Sequence, residues 1–355
     1  GNGNGNGNAS ARQKERSPGD MNNPESPLEC PDDNVKSRNG DRPTQRADGT
    51  HERFKALLAR AAQLDLIRIG VVHPCSREAL QGVVDATARG LIEPVLIGPQ
   101  GKINSIAADI GADISGLEIV DVPHSHAAAA RAVEMARAGA VDALMKGSLH
   151  SDELLTEVVN AETGLRTARR ISHVFLLDVP RYSKLLLISD AAINIAPDFL
   201  TKVDIVQNAI DLANVIGIEE PRVALLSAVE TVSPKFRSAM EAAALSKMAD
   251  RGQITGGLVD GPLAFDNAVS PAAAAIKGIR SPVAGQADIL VVPDIEAGNM
   301  LVKQLEYLAD SQAAGIVLGA RVPIVLTSRA DAAQSRVVSC AVAVLLANHY
   351  RVAPP

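Results

Sequence analysis

Four segments of this chain set polar side chains where apolar runs stop. Lys146-Gly147-Ser148-Leu149-His150-Ser151-Asp152 follows residues 142–145, and Asp190-Ala191-Ala192-Ile193-Asn194 follows 184–189. Asp294-Ile295-Glu296-Ala297-Gly298-Asn299 comes after 289–292, and Thr327-Ser328-Arg329-Ala330-Asp331 after 324–326. The last segment says most about chemistry. Arginine is always charged and presents a planar fork, and a helix N-terminus offers free backbone N–H groups. Ser328-Arg329 ahead of a helix is therefore a ready site for phosphate or another dianion, with the hydroxyl as one more donor. In VVPDIEAGNM (291–300), Gly298 lets backbone come close to a ligand, and Asn299 can both donate and accept. Each segment also has a plain structural reading. Ser151 fits a helix N-cap, Asp331 favours a helix start through the macrodipole, and Asp294 with Glu296 fits a solvated turn. Lys146-Gly147 says little by itself. His150 reads as a loop residue, and neither it nor His73, His124 and His126 falls at a zinc-ligand spacing.

Other chemistries lack their signatures. No GxxxxGK(S/T) loop is present, no GxGxxG lies between a strand and a helix, and no GxSxG elbow appears. The net charge of −6 argues against a general nucleic-acid binder, while local cations and helix N-termini can still hold small anions. Cys30, Cys75 and Cys340 form no CxxC pair, which fits free thiols in a reducing compartment. No apolar run approaches the roughly 18–20 residues of a membrane helix, and no signal-peptide pattern opens the chain, so a cytoplasmic protein is expected.

Positioning these groups is the task of an alternating α/β pattern. Strands are expected at 66–72, 94–98, 117–122, 142–147, 173–179, 184–190, 223–228, 289–294, 314–319 and 322–328. Ser76 caps a helix that runs to about residue 89 and stops at Gly90, and an Ala-rich helix covers about 125–138. In residues 198–217, Phe199, Val203, Val206, Ile210 and Ala213 recur at helical spacing between Asp198 and Gly217. Pro180-Arg181-Tyr182-Ser183 reads as the turn of an antiparallel pair; the other strands are mostly parallel. Hydrophobic residues make up 46% and aromatics only 2%, which suits a helix-covered sheet filled by aliphatic side chains. Residues 1–50 open on GNGNGNGN and are poor in aliphatics, so they read as a low-complexity, disordered arm outside the fold. In such sheets, ligands bind beyond the carboxyl ends of the strands, where the four polar segments fall.

Seven stretches taken in order carry a resemblance. They are DALMKGSLH (142–150), GLRTARRISHVFLLDVP (164–180), LLLISDAAINIAPDFLTKVDIVQNAIDLA (185–213), VALLSAVETVSPKF (223–236), DGPLAFDNAVS (260–270), SPVAGQADILVVPDIEAGNMLVKQL (281–305) and VPIVLTSRADAAQS (322–335). Across roughly residues 52–350 the chain resembles the phosphate acetyltransferase and phosphate butyryltransferase family. It is most like the acyltransferase part of bifunctional enoyl-CoA hydratase/phosphate acetyltransferases; with only a short arm in front, no hydratase activity is expected.

The resemblance implies two three-layer α/β domains with a cleft between them, similar to isocitrate and isopropylmalate dehydrogenases. Domain one would be 51–165 plus 320–355. Domain two would be 166–319, through which the protein would pair as a homodimer. It implies reversible acetyl transfer between CoA and inorganic phosphate, with acyl-CoA and phosphate as substrates and no permanently bound cofactor or metal. Arg329 would hold the phosphate or acyl phosphate, and Ser328 would donate to the developing oxyanion. Ser151 would be a cleft serine, with Lys146 and Arg137 as further cations. Asp294, Glu296, Gly298 and Asn299 would form a cleft rim, matching the family's Pro-Asp-Leu-Glu-Ala-Gly-Asn stretch. The acetyl branch places an aspartate base where this chain has Ser335, so Asp331 is the expected base, with Asp190 and Asp294 as alternates. Three other readings stay open: a phosphate butyryltransferase, a dehydrogenase of the same fold, and a non-catalytic CoA-binding protein. A dehydrogenase would need a carboxylate cluster for a divalent metal.

Overall fold

A computed structural model describes residues 51–328 and 333–355. The expected arm at 1–50 lies outside them, as do Arg329 and Asp331. In chain order the first elements are α1 (Glu52–Ala61), β1 (Ile67–Val72), α2 (Arg77–Ala88), β2 (Ile92–Gly98), α3 (Gln100–Ile110), β3 (Glu118–Asp121), α4 (Ser125–Arg137), β4 (Ala143–Lys146) and α5 (Ser151–Val158). Next come β5 (Ser172–Asp178), β6 (Leu186–Ser189), α6 (Phe199–Val215), β7 (Arg222–Leu226), α7 (Arg237–Asp250), β8 (Leu258–Leu263), α8 (Phe265–Val269), α9 (Pro271–Ile276), β9 (Ile289–Val291) and α10 (Ile295–Leu308). The chain closes with β10 (Gln312–Leu318), β11 (Ile324–Val325) and α11 (Ala333–Val352).

Local chemistry sets several boundaries where the sequence places them. Ser76 Oγ accepts from the Ala79 N–H at 3.3 Å and opens α2, and the Asp198 carboxylate accepts from the Thr201 N–H at 2.7 Å and opens α6. Gly90 and Gly217 follow these helices at positive φ. Several expected strands are shorter than read, among them 184–190, which pairs only over Leu186–Ser189. The one at 289–294 stops at Val291, and only Ile324–Val325 of 322–328 pairs, because the chain leaves the sheet there to build loops. Helices α1, α3, α7, α8 and α9 and strand β8 are additions.

The strands form one sheet in the order β3-β2-β1-β4-β11-β10-β5-β6-β9-β7-β8. Pairing is parallel except around the middle, where β10 runs antiparallel to both β11 and β5, and β5 antiparallel to β6. The fold is thus mixed α/β with a mainly parallel sheet. Alternation along each strand divides the core. Ile67, Ile69 and Val71 of β1, Val174 and Leu176 of β5, and Ile316 of β10 belong to one apolar cluster that continues across the sheet under α1, α2, α3, α6, α7 and α11. The opposite face carries two separate clusters. One lies under α4 and α5 and includes Leu144, Leu149 and Leu326. The other lies under α8, α9 and α10 and includes Phe175, Ile188 and Ala191.

Candidate active site

A cavity of about 790 Å³ opens where those two clusters stop. Its lining comes from both sides: Lys146, Leu149, His150, Ser151, Leu326, Thr327 and Ser328 on one, and Phe175, Ala191, Ala192, Ile295, Glu296, Asn299, Met300 and Lys303 on the other. Three of the four polar segments and the rim of the fourth therefore converge, at the carboxyl ends of β4, β6, β9 and β11.

On the first wall, Lys146 is the last residue of β4 and is 5% exposed. Its Nζ donates to the Leu149 carbonyl at 3.0 Å, so the ammonium is held at the cavity floor. The turn after it is anchored to β1. A Cβ on Gly147 would stand 2.4 Å from the Val72 carbonyl oxygen, so only glycine permits this approach. Ser148 Oγ donates to the His73 carbonyl at 2.9 Å and accepts from the Cys75 N–H at 3.1 Å, which makes it a staple. The N-cap of α5 is His150, and Ser151 is the first helical residue; the capping reading of Ser151 is corrected. Glu153 accepts from the His150 N–H at 3.1 Å, and the Ser125 hydroxyl bond holds its carboxyl below the usual range. Ser151 stands at the N-terminal, positive end of α5 and lines the same cavity as Lys146.

Ser328 is placed from below. The buried Arg336 of α11 donates from Nη2 to the Ser328 carbonyl at 3.1 Å. His173, fully buried on β5, has Nε2 3.0 Å from the Leu326 carbonyl, with the ring nitrogen as donor to that acceptor. The segment entering Arg329 is thus held at both residue 326 and residue 328. Ser335 lies in α11, and its carbonyl accepts from Ser339 Oγ at 2.7 Å.

On the second wall, two expected base candidates prove structural. Asp190 is 3% exposed and accepts from the N–H groups of Ala192, Ile193 and Asn194 at 2.9, 3.0 and 3.2 Å and from Asn194 Nδ2 at 2.6 Å. Its lone pairs are spent on its own loop, which presents Ala191 and Ala192 to the cavity. Asp294 is the N-cap of α10 and accepts from the Ala297 N–H at 2.9 Å. Gly298 lets α10 pack closely on the Asp190 loop: a Cβ there would stand 2.8 Å from Ala191 Cβ. Asn299 Nδ2 reaches the Ala191 carbonyl at 3.5 Å, and Glu296 is an exposed rim residue. Arg137 is exposed at the C-terminal end of α4, which leads into the start of β4; the structure does not bring it to the cavity.

Lys303, Met300 and Phe175 were not expected here. The first two were within reach of sequence reasoning, because Glu296, Asn299, Met300 and Lys303 share one helical face at i, i+3, i+4 and i+7. Lys303 also pairs with Glu306 at 2.7 Å. Among the described residues, no group of three or more His, Cys, Asp or Glu could hold a metal ion, and no helix is long and apolar enough to cross a membrane.

Fold and cavity together describe an α/β protein with a cavity at its strand ends, lined by a buried lysine, a helix N-terminus, serines and apolar side chains. The model of the family described as "Phosphate acetyl/butaryl transferase" matches residues 123–344. The chain belongs to this family. It is 60% identical over 302 residues to the phosphate acetyltransferase of Rhizobium meliloti, covering 85% of this chain and 95% of that protein. It is 42% identical over 296 residues to the phosphate butyryltransferase of Clostridium acetobutylicum, covering 83% of this chain and 98% of that one. Among solved structures, a branched-chain phosphotransacylase from Enterococcus faecalis V583 superposes with a TM-score of 0.70 at 31% identity, covering 79% of this chain and 99% of that chain.

Proposed function

We propose that this chain is a phosphate acetyltransferase that moves an acetyl group reversibly between CoA and inorganic phosphate. The observation that carries the reading is the 60% identity to a phosphate acetyltransferase along 95% of that protein's length. The cavity supports it. Lys146, the α5 N-terminus and Ser151 lie on the wall that Ser328 completes, so anionic groups can be held close to a thioester carbonyl. A phosphate oxygen attacks that carbonyl, the C–O bond forms, the C–S bond breaks, and CoA leaves as a thiolate that takes up a proton. In the reverse direction Asp331 takes the thiol proton, while Arg329 binds the phosphoryl group. With Asp190 and Asp294 committed to backbone N–H groups, Asp331 is the remaining candidate of the three. Neither Cys75 nor Cys340 lines the cavity, and burial pushes the Cys75 thiol up and Cys340 up to about 12, which favours direct transfer over an acyl-cysteine route.

The same reading divides the sheet into two lobes, 51–165 plus 320–355 and 166–319, meeting at β10 and β11. Two copies would pair through 166–319. Most of the exposed large hydrophobics fall in that segment, among them Ile195, Tyr307, Leu308 and Ile276. Sedimentation of the purified chain tests this: a dimer mass supports the pairing and a monomer rejects it. A cytoplasmic setting accords with the free Cys75 and Cys340. The activity is tested by ³¹P NMR of acetyl-CoA and phosphate incubated with the protein. An acetyl phosphate resonance growing with enzyme concentration supports the assignment, and its absence rejects it.

A further inference from the structure

The polar rim of the cavity explains how anions are held. It does not explain what the alkyl part of a thioester touches. That part must lie against apolar surface, and the described apolar lining is Leu149 and Leu326 on one side and Phe175, Ala191, Ala192, Ile295 and Met300 on the other. Phe175 stands out by size. The chain has only five phenylalanines, and this one faces the cavity from the middle of β5.

Its position is fixed on every side. In the sheet register Phe175 pairs with Gly315 of β10 and Ile188 of β6. Gly315 admits no side chain, since a Cβ would stand 2.4 Å from the Leu326 carbonyl oxygen and 2.8 Å from His173 Nε2. The His173 and Phe175 rings meet edge-on, with centroids 4.3 Å apart. His173 in turn holds the Leu326 carbonyl at 3.0 Å, two residues before Ser328. Phe175 is 7% exposed, and its ring packs against the imidazole that makes that bond. It therefore fills, with a fixed wall, space that a longer acyl chain would need, whereas Ala191 and Ala192 take up little.

We infer that Phe175 sets the acyl-chain length, admitting acetyl and penalising butyryl. The inference rests on the acyl-transfer reading above and adds a specificity-determining residue to it. Two additional methylenes in an apolar site are a modest energetic difference, so a single side chain of this size is enough to reverse a preference.

The test compares Phe175→Ala and Phe175→Leu with the wild-type chain. The readout is kcat/KM for acetyl-CoA and butyryl-CoA at saturating phosphate, followed by CoA thiol release, with thermal unfolding of each variant measured alongside. The wild type should favour acetyl-CoA. The butyryl-to-acetyl ratio should rise about tenfold or more in Phe175→Ala, and by an intermediate factor in Phe175→Leu. The KM for phosphate should not follow the ratio. Should the alanine variant fail to fold, the leucine variant decides alone. A ratio unchanged within about twofold in folded, phosphate-dependent variants would overturn the inference while leaving the acyl-transfer reading intact, as would a wild-type preference for butyryl-CoA. No phosphate-dependent release by the wild type with either thioester would overturn the acyl-transfer reading and the inference with it.

Discussion

The two faces of the sheet receive different cover. Beneath α1, α2, α3, α6, α7 and α11, one apolar cluster runs without a break from Phe54 and Leu80 to Leu176, Ile210 and Val259. Beneath α4 and α5 on one side and α8, α9 and α10 on the other, the cover is in two pieces, and the cavity opens at the strand ends between them. Polar burial follows the same division. On the continuous face Glu241 of α7 takes Lys202 of α6 at 2.5 Å and Arg237 at 2.6 Å. On the split face Lys146 is buried against a cavity, and Ser151 and Ser328 face the same space. The comparison teaches that binding groups here need no irregular core. They need one interruption of the helical layer, placed where parallel strands end, with an intact core behind it to carry stability.

The largest effect is expected on the split face. Arg329→Ala should lower kcat by about 10³-fold, the scale of losing a charge-stabilising donor, with no fall in the thermal midpoint. Near-normal turnover would remove Arg329 from the mechanism. On the continuous face, Leu80→Ala should cost about 2–5 kcal/mol by leaving a cavity in the cluster beneath α2, read from urea unfolding, while the KM for acetyl-CoA stays put. A changed KM would mean that the two faces are not separable.

One contact joins the faces, and a substitution there sharpens the comparison. Gly82 of α2 packs on Arg336, and a Cβ at 82 would stand 2.8 Å from Arg336 Cβ and Cδ. Since Arg336 holds the Ser328 carbonyl, Gly82→Ala should displace that support. A stability loss of about 1–3 kcal/mol should come with a drop of about tenfold in kcat, although residue 82 lies on the face away from the cavity. Stability loss with unchanged kcat would show that the Arg336 contact does not position Ser328.

The smallest effect concerns pH. Tyr182 donates to the Ala287 carbonyl at 2.6 Å, and burial, then the Asp288 charge, pushes its hydroxyl up to about 12. An unfolded tyrosine ionises near about 10. The folded pKa is raised, so this stability is fully present below about 10 and is lost as pH rises toward about 12. Tyr182→Phe should cost about 1 kcal/mol at pH 8 and lose less of its stability between pH 10 and 11 than the wild type. Parallel pH curves for the two proteins would contradict the assignment.

Legibility in the sequence tracked how local each determinant is. Ser76, Asp198 and the Pro180–Ser183 turn act within a few residues, and each does what its type predicts. β8 was hidden because Asp260, Gly261 and Pro262 interrupt LVDGPL and read as a turn. α7 was hidden because its buried stripe is Ala239, Ala242 and Leu245, too small to stand out in an Ala-rich run. At the site, polar segments were visible because strand ends are marked by composition. The division of labour among their carboxylates was not, since the commitment of Asp190 to three backbone N–H groups depends on a loop conformation. Gly298 read as an opening for a ligand, but the close approach it permits is to Ala191, a contact 107 positions away in sequence. Phe175 read as one more strand residue, because only the gap in the helical cover exposes it to the cavity.

The central claim is that this gap brings a thioester and phosphate together for direct transfer. Its most direct measurement is the initial rate of CoA thiol release from acetyl-CoA as inorganic phosphate is titrated. The account predicts a rate that rises from background to saturation with phosphate and collapses in Arg329→Ala. Release that ignores phosphate, or no release at any phosphate concentration, would contradict it.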